Sequence, residues 1–280
     1  MEQVLVRNAT LQDCKGIQHV HRNDIDPWHF IDECIAWIGK RLERGFVIQV
    51  AEVDGIIVGH SEWIMTHDPC NKFLYLGMLQ IDDDFQRRGI GRKMIEEGFR
   101  IATEQGCNKL VTNPETDNTS KEFYQKCGFM EGRKIKSTAL PTNDSGYSRH
   151  YTVSENAPFS VIRERPFVFG AGQASPRHMW EINNQKPSTD DRMVATLISD
   201  DGSCMQLGWF EGNETAYVLC WNDAPDHHCV NDILSFGHHS GFKSISFEFF
   251  DEYEALFTQF DAKITIENVE LVKLINHWLK

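Results

Sequence analysis

The chain has no long apolar run. None of its hydrophobic stretches approaches the roughly 20 residues that a helix needs to cross a bilayer. The start, MEQVLVRNAT, lacks a basic segment followed by an apolar one, which predicts no secretory leader. The eight cysteines include no CxxC pair, so a disulfide framework is not expected, and reduced thiols in a cytoplasmic protein are. Positive charge is also scarce: 28 Lys+Arg stand against 41 Asp+Glu, a formal net charge of -13. That balance argues against nucleic acid as the main partner, because phosphate backbones require a basic face. No GxSxG, HExxH or GK[ST] motif occurs. His227, His228, Cys229, His238 and His239 could bind zinc by type, but their spacing fits no common zinc pattern, and no metal is expected.

What is present is unevenly distributed. Residues 1–150 carry 19 Lys+Arg and 22 Asp+Glu; residues 151–280 carry 9 and 19. The acidic second half suits a cationic partner such as an amine, and equally suits solubility alone.

Periodicity predicts alternating strands and helices in the first half. VLVRNA is a short strand, and Thr10 is placed to cap a helix reaching about Arg22. NDIDPWHF is a loop, and IDECIAWIGKRLERG a second helix ended by Gly45. FVIQVAE and IIVGHSEWIM form a hairpin around Asp54-Gly55. FLYLGMLQI is an apolar strand fit for a sheet centre. A helix from Gly89 to Gln105 places Ile90, Met94, Gly98 and Ile101 on one face. KLVTN is a strand and TSKEFYQKC a helix with Gly128 behind it; GFMEGRKIKSTAL and YSRHYTVS read as two final strands. Beyond SENAP the order of elements repeats: CMQLGWF and TAYVLCW pair, CVNDILSFG is helical, GFKSISFEFF holds a strand and EYEALFTQF a helix. The repetition predicts a diverged internal duplication.

The sharpest local feature is QRRGIGR, residues 86–92. A strand that ends in a glycine-rich turn and opens a helix aims several backbone N–H groups at one point, and the helix dipole adds positive charge there. Arg87, Arg88 and Arg92 add full charges, while Gly89 and Gly91 allow close approach of a ligand. The unit suits a pyrophosphate. It is neither a P-loop nor a GxGxxG fingerprint, since Met94 stands at the third glycine.

About 35 residues on stands Phe123-Tyr124-Gln125-Lys126-Cys127-Gly128-Phe129. With Gln86-Arg87-Arg88-Gly89-Ile90-Gly91, this pair of motifs resembles the GNAT (Gcn5-related) N-acetyltransferase family over residues 4–153. The resemblance implies an α/β (α+β) chain of two GNAT-like domains, 1–153 and 154–280, each a mixed, mostly antiparallel sheet flanked by helices. It implies acetyl-CoA as co-substrate, its pyrophosphate on residues 86–91 and its pantetheine alongside Leu79, Gln80 and Ile81, where the family's central strand splays open. An amine would attack the thioester directly through a tetrahedral intermediate. Tyr124 matches the family tyrosine that protonates the departing thiolate. Asn118 lies six residues before it, one short of the family's usual spacing for an asparagine that contacts CoA. For the general base, Glu62 is the first candidate. Asp82, Asp83 and Asp84 read as a solvated loop.

In the second half, WNDAPDHH stands where the phosphate loop would fall, and Leu256-Phe257 where Phe123-Tyr124 would. Two carboxylates would repel a phosphate, and the donor hydroxyl is absent. The resemblance therefore implies a degenerate second domain that shapes an acceptor pocket or an interface. The expected function is acetyl-CoA-dependent transfer to a primary amine of a small molecule or protein. The alternative is a non-catalytic acyl-CoA sensor.

Overall fold

In the computed structural model, the described residues are 3–24, 28–67, 71–114, 118–154, 165–170, 196–209 and 214–275. The first half runs β1 (Val4–Asn8), α1 (Cys14–Val20), α2 (Ile31–Glu43), β2 (Val47–Val53), β3 (Ile56–His67), β4 (Lys72–Ile81), α3 (Ile90–Glu104), β5 (Lys109–Thr112), α4 (Asn118–Lys126) and β6 (Met130–Pro141). The second runs β7 (Tyr151–Ser154), β8 (Phe167–Gly170), β9 (Thr196–Ser199), β10 (Cys204–Trp209), β11 (Thr215–Trp221), α5 (His227–His239), β12 (Ser244–Phe250), a 3-10 segment (Asp251–Phe260) and β13 (Thr265–Leu274).

All strands join one sheet in the order β1-β2-β3-β4-β5-β13-β6-β12-β11-β10-β9-β7, with β8 paired to β11 off this path. Neighbours are antiparallel except β4 with β5 and β11 with β12. These two parallel pairs stand at equivalent places on either side of the middle.

The halves exchange strands at the centre. The last strand, β13, lies between β5 and β6 and pairs antiparallel with both. In turn β6 pairs with β12 over seven residues, from Ser244↔Pro141 to Phe250↔Ile135. Leu271 of β13 is fully buried in the first-half core with Trp63, Leu74 and Phe129. The two strands read in GFMEGRKIKSTAL and YSRHYTVS are present but do not pair with each other: β7 pairs with β9. The chain between them crosses α5, where buried Asp232 accepts hydrogen bonds from the Ser148 N–H (2.6 Å) and the Tyr151 hydroxyl (2.7 Å). Those contacts carry β7 to the far edge.

The predicted apolar face of α3 is buried as Ile90, Met94, Gly98 and Ile101. Gly98 is obligatory for close packing: a Cβ there would come within 2.3 Å of the Trp63 ring. The expected helix EYEALFTQF is a 3-10 segment whose Phe257 is fully buried against Phe247 and Phe249. The seven cysteines among the described residues are buried and form no disulfide with one another. Among the described residues no helix is long and apolar enough to cross a membrane, and no group of three metal-ligating side chains is found.

Candidate active site

The sheet opens at β4. β5 pairs with β4 only from Phe73 to Leu76 and ends at Thr112. One residue further, Gly77 is an extra residue opposite β3: Leu76 faces Trp63 and Met78 faces Glu62, with a register shift between. A bulge bends its strand and increases local twist. Leu79, Gln80 and Ile81 stay paired to Ser61, His60 and Gly59 on one edge, but have no β5 partner on the other. An extended chain can pair with such an open edge.

Immediately beyond comes the glycine-rich turn. Arg87 and Gly89 both have left-handed backbones, with φ of 60° and 82°. Gly89 is the N-cap of α3 and makes no side-chain cap. A Cβ on Gly89 would meet nothing within 4 Å, so this glycine supplies backbone conformation and leaves the N-terminus open. Gly91 does something other than admit a ligand: a Cβ there would lie 3.1 Å from the ring of Phe123. The two motifs thus pack on each other through Gly91. Gln86 spans the turn, its Nε2 donating to the Ile81 carbonyl at 3.2 Å. Arg88 donates to the Asp84 carbonyl and lies over the Phe85 ring. Arg92 reaches the Lys126 carbonyl at 3.3 Å. Buried Ile90 anchors the start of the helix in the core with Ala51 and Val58.

Tyr124 is 8% exposed and packs between Phe123 and Phe129. Burial holds its phenol above the ordinary value of 10; a hydrogen bond with Thr112 partly opposes this. The Thr112 hydroxyl also donates to the Leu76 carbonyl at 3.0 Å. Tyr124 is therefore tied, through Thr112, to the point where β4 and β5 separate. Asn118 opens α4, and its side chain lies outside the described residues, as does part of the NDIDPWHF loop.

Glu62 is buried on the sheet face covered by α1 and α2. Trp37 Nε1 donates to one carboxylate oxygen at 3.0 Å and Arg41 Nε to the other at 2.6 Å. Arg41, itself buried, stacks over Trp37 with 3.4 Å to the ring centroid. Three further side chains complete this cluster. His60, two residues before Glu62 on β3, bonds His21 at 2.9 Å, and His21 bonds Asp24 at 2.5 Å. The i,i+2 spacing of His60 and Glu62 in a strand puts both on one face, a signal legible in GHSEW. A cavity of about 350 Å³ lies over His21 and Asp24, lined also by Lys15, His19, Arg22 and Trp28.

The equivalent place in the second half is closed. β11 pairs with β12 only from Thr215 to Tyr217, so it too would splay. There β8 fills the gap, pairing with Leu219, Cys220 and Trp221 while β10 occupies the other edge of β11. The N-terminus of α5 is capped as well: the Asp226 carboxylate accepts from Cys229 N–H at 2.9 Å.

Residues 11–129 match the Acetyltransferase (GNAT) family. An aminoglycoside N(6')-acetyltransferase type 1 of Salmonella typhimurium LT2 is 25% identical over 92 residues, 31% of this chain and 63% of that protein. The L-amino acid N-acyltransferase MnaT of Escherichia coli K12 is 24% identical over 137 residues, 45% of this chain and 78% of that protein. The chain thus spans less than two thirds of the Salmonella relative. A crystal structure of a GCN5-related N-acetyltransferase from Anabaena variabilis superposes with a TM-score of 0.68 at 13% identity, over 98% of this chain and 73% of that one. At that identity the likeness is one of fold, and it covers both halves.

Proposed function

Since residues 11–129 belong to the acetyltransferase (GNAT) family, we propose that the protein transfers an acetyl group from acetyl-CoA to a primary amine, using a single site in its first half. The observation that carries this reading is the junction of an open β4 edge with an uncapped, arginine-flanked helix N-terminus, and Tyr124 tied to the same point. The residues fit the group. The N–H groups of residues 86–91 and the charges of Arg87, Arg88 and Arg92 suit the pyrophosphate. The free edge of Leu79–Ile81 suits the pantetheine amides. Bound acetyl-CoA supplies an acetyl group activated as a thioester. The chain's own residues hold it in line with the amine and move protons.

Tyr124 keeps its proton at neutral pH, because burial disfavours the phenolate. It is the donor to the sulfur of the leaving thiol. Glu62 lies one strand from Met78, beside the bulge, and is the first acceptor of the amine's proton. The second half contributes charge. Burial, and then the Glu248 carboxylate on β12, push Tyr75 up to about 12, so an acidic group of the second half faces the first-half sheet. That favours a cationic acceptor and the division into a transferase domain, 1–153, and a degenerate domain, 154–280, that borders its pocket. The relatives' names also share an amine acceptor.

A second reading, a non-catalytic acyl-CoA sensor, draws on the engagement of both Glu62 oxygens by Arg41 and Trp37. A thiol-release assay across a panel of small amines and peptides separates the two. Acetyl-CoA-dependent thiol release with some amine is expected; binding without turnover across the panel would favour the sensor.

A further inference from the structure

Both Glu62 oxygens already accept hydrogen bonds, one from Trp37 Nε1 and one from Arg41 Nε, so a proton taken up there must be passed on promptly. The neighbouring side chains offer a path. The Asp24 carboxylate accepts from His21, which fixes the His21 proton on Nδ1 and leaves Nε2 as an acceptor. His21 Nε2 then accepts from His60 Nδ1 at 2.9 Å. The remaining nitrogen, His60 Nε2, is left with a bare lone pair. It is fully buried, has no hydrogen-bond partner among the described residues, and lies 3.8 Å from Glu62 Oε1. A cluster built only for stability would satisfy that atom, since an unpaired buried polar group costs about 1–3 kcal/mol. Trp28 stacks on His21 with 4.2 Å between centroids and meets His60 edge-on, so both rings are clamped in line.

We propose that Glu62, His60, His21 and Asp24 form a proton relay that carries the acceptor amine's proton from the sheet centre to the cavity over α1. This rests on the transferase reading above. The amine proton passes to Glu62 and then to His60 Nε2. His60 gives its Nδ1 proton to His21 Nε2, and His21 gives its Nδ1 proton to Asp24. Asp24, 41% exposed at its side chain, releases a proton to solvent. One proton enters and one leaves, and each ring finishes with its proton on Nε2; once product has left, a proton taken up by Asp24 passes back along the same path to Glu62 and to water in the emptied site, which restores both Nδ1 tautomers. The charged and titratable groups facing the relay are Arg41 and Glu62 at its inner end, and Lys15, His19, Arg22 and His29 around the cavity. Burial keeps both relay imidazoles below the ordinary 6.5, with Arg41 further disfavouring charge on His60, so they conduct a proton without storing it.

Two readouts test the relay. In protein labelled with ¹⁵N-histidine, His21 and His60 should both be neutral at pH 7, protonated on Nδ1 and bare on Nε2. A proton resting on His60 Nε2 would overturn the relay, whether or not the protein turns over an amine. Asp24→Asn keeps an oxygen that can accept from His21 but cannot take up a proton. It should lower kcat about tenfold and change the pH profile of kcat, with acetyl-CoA affinity unchanged. His60→Gln should lower kcat by a similar or larger factor, and the double variant no further than the worse single one. Unchanged kcat for Asp24→Asn at every pH would sink the proposal. Failure of the wild-type protein to acetylate any amine, with the tautomers as expected, would instead count against the transferase reading.

Discussion

Gly89→Glu tests the phosphate assignment, provided its backbone effect is subtracted. Gly89 has φ of 82°, and no atom lies within 4 Å of where its Cβ would be. Gly89→Ala should therefore cost only conformational strain, about 1 kcal/mol of stability, with little loss of affinity. The glutamate variant carries the same strain plus a carboxylate beside the bound pyrophosphate. At roughly 6 Å and an effective dielectric constant of about 40, one unit charge costs about 1.4 kcal/mol against another. A doubly charged pyrophosphate then costs about 3 kcal/mol, a loss of about 100-fold in Kd. Urea unfolding should report the same stability for both variants, and calorimetric titration with acetyl-CoA should separate them. Equal affinities for the alanine and glutamate variants would show that no phosphate sits at this turn.

Three other outcomes follow from the same geometry. Tyr124→Phe should lower kcat about 10²-fold, the scale of a lost general acid, with acetyl-CoA affinity nearly unchanged; steady-state kinetics with an accepted amine would check this, and an unaltered rate would return Tyr124 to packing alone. Residues 1–153 expressed alone should fail to fold cooperatively, because β5 and β6 would lose β13 between them; a sharp urea transition with native-like circular dichroism for this fragment would contradict the strand exchange. Stability should fall as pH drops below about 6.5, because unfolded imidazoles then bind protons that buried His21 and His60 refuse, at up to about 1.4 kcal/mol per pH unit for each. Urea titrations at pH 7.5 and 5.5 should show the loss, smaller in His60→Gln, whereas equal stabilities would mean that these rings protonate freely in the folded state.

Much of the first half is legible in the sequence because its signals are local. The Asp54-Gly55 turn, with both residues at positive φ, fixes the β2–β3 hairpin, and the apolar face of α3 reads off its spacing. Gly89 and the FYQKCGF segment likewise announce themselves by type and separation. The role of Gly91 is not legible, because its packing on Phe123 depends on the approach of α4. The exchange of β6 and β13, and the closure of the second cleft by β8, involve strands far apart in the chain. Such pairing leaves no periodicity behind, so an order of elements that repeats along the sequence conceals who pairs with whom. The carboxylates of WNDAPDHH are legible in the sequence; that Asp226 caps α5 depends on the backbone. His21, Asp24 and His60 come from a helix end, a loop and a strand, and only the fold joins them.

The central claim is one competent site in a duplicated chain, gripping acetyl-CoA through its pyrophosphate. Calorimetric titration of the full chain with acetyl-CoA, beside S-acetyl-pantetheine, tests it most directly. A stoichiometry of one and micromolar affinity that is lost with the phosphate-free analogue are expected. A stoichiometry of two, equal affinity for the analogue, or no binding at all would contradict it.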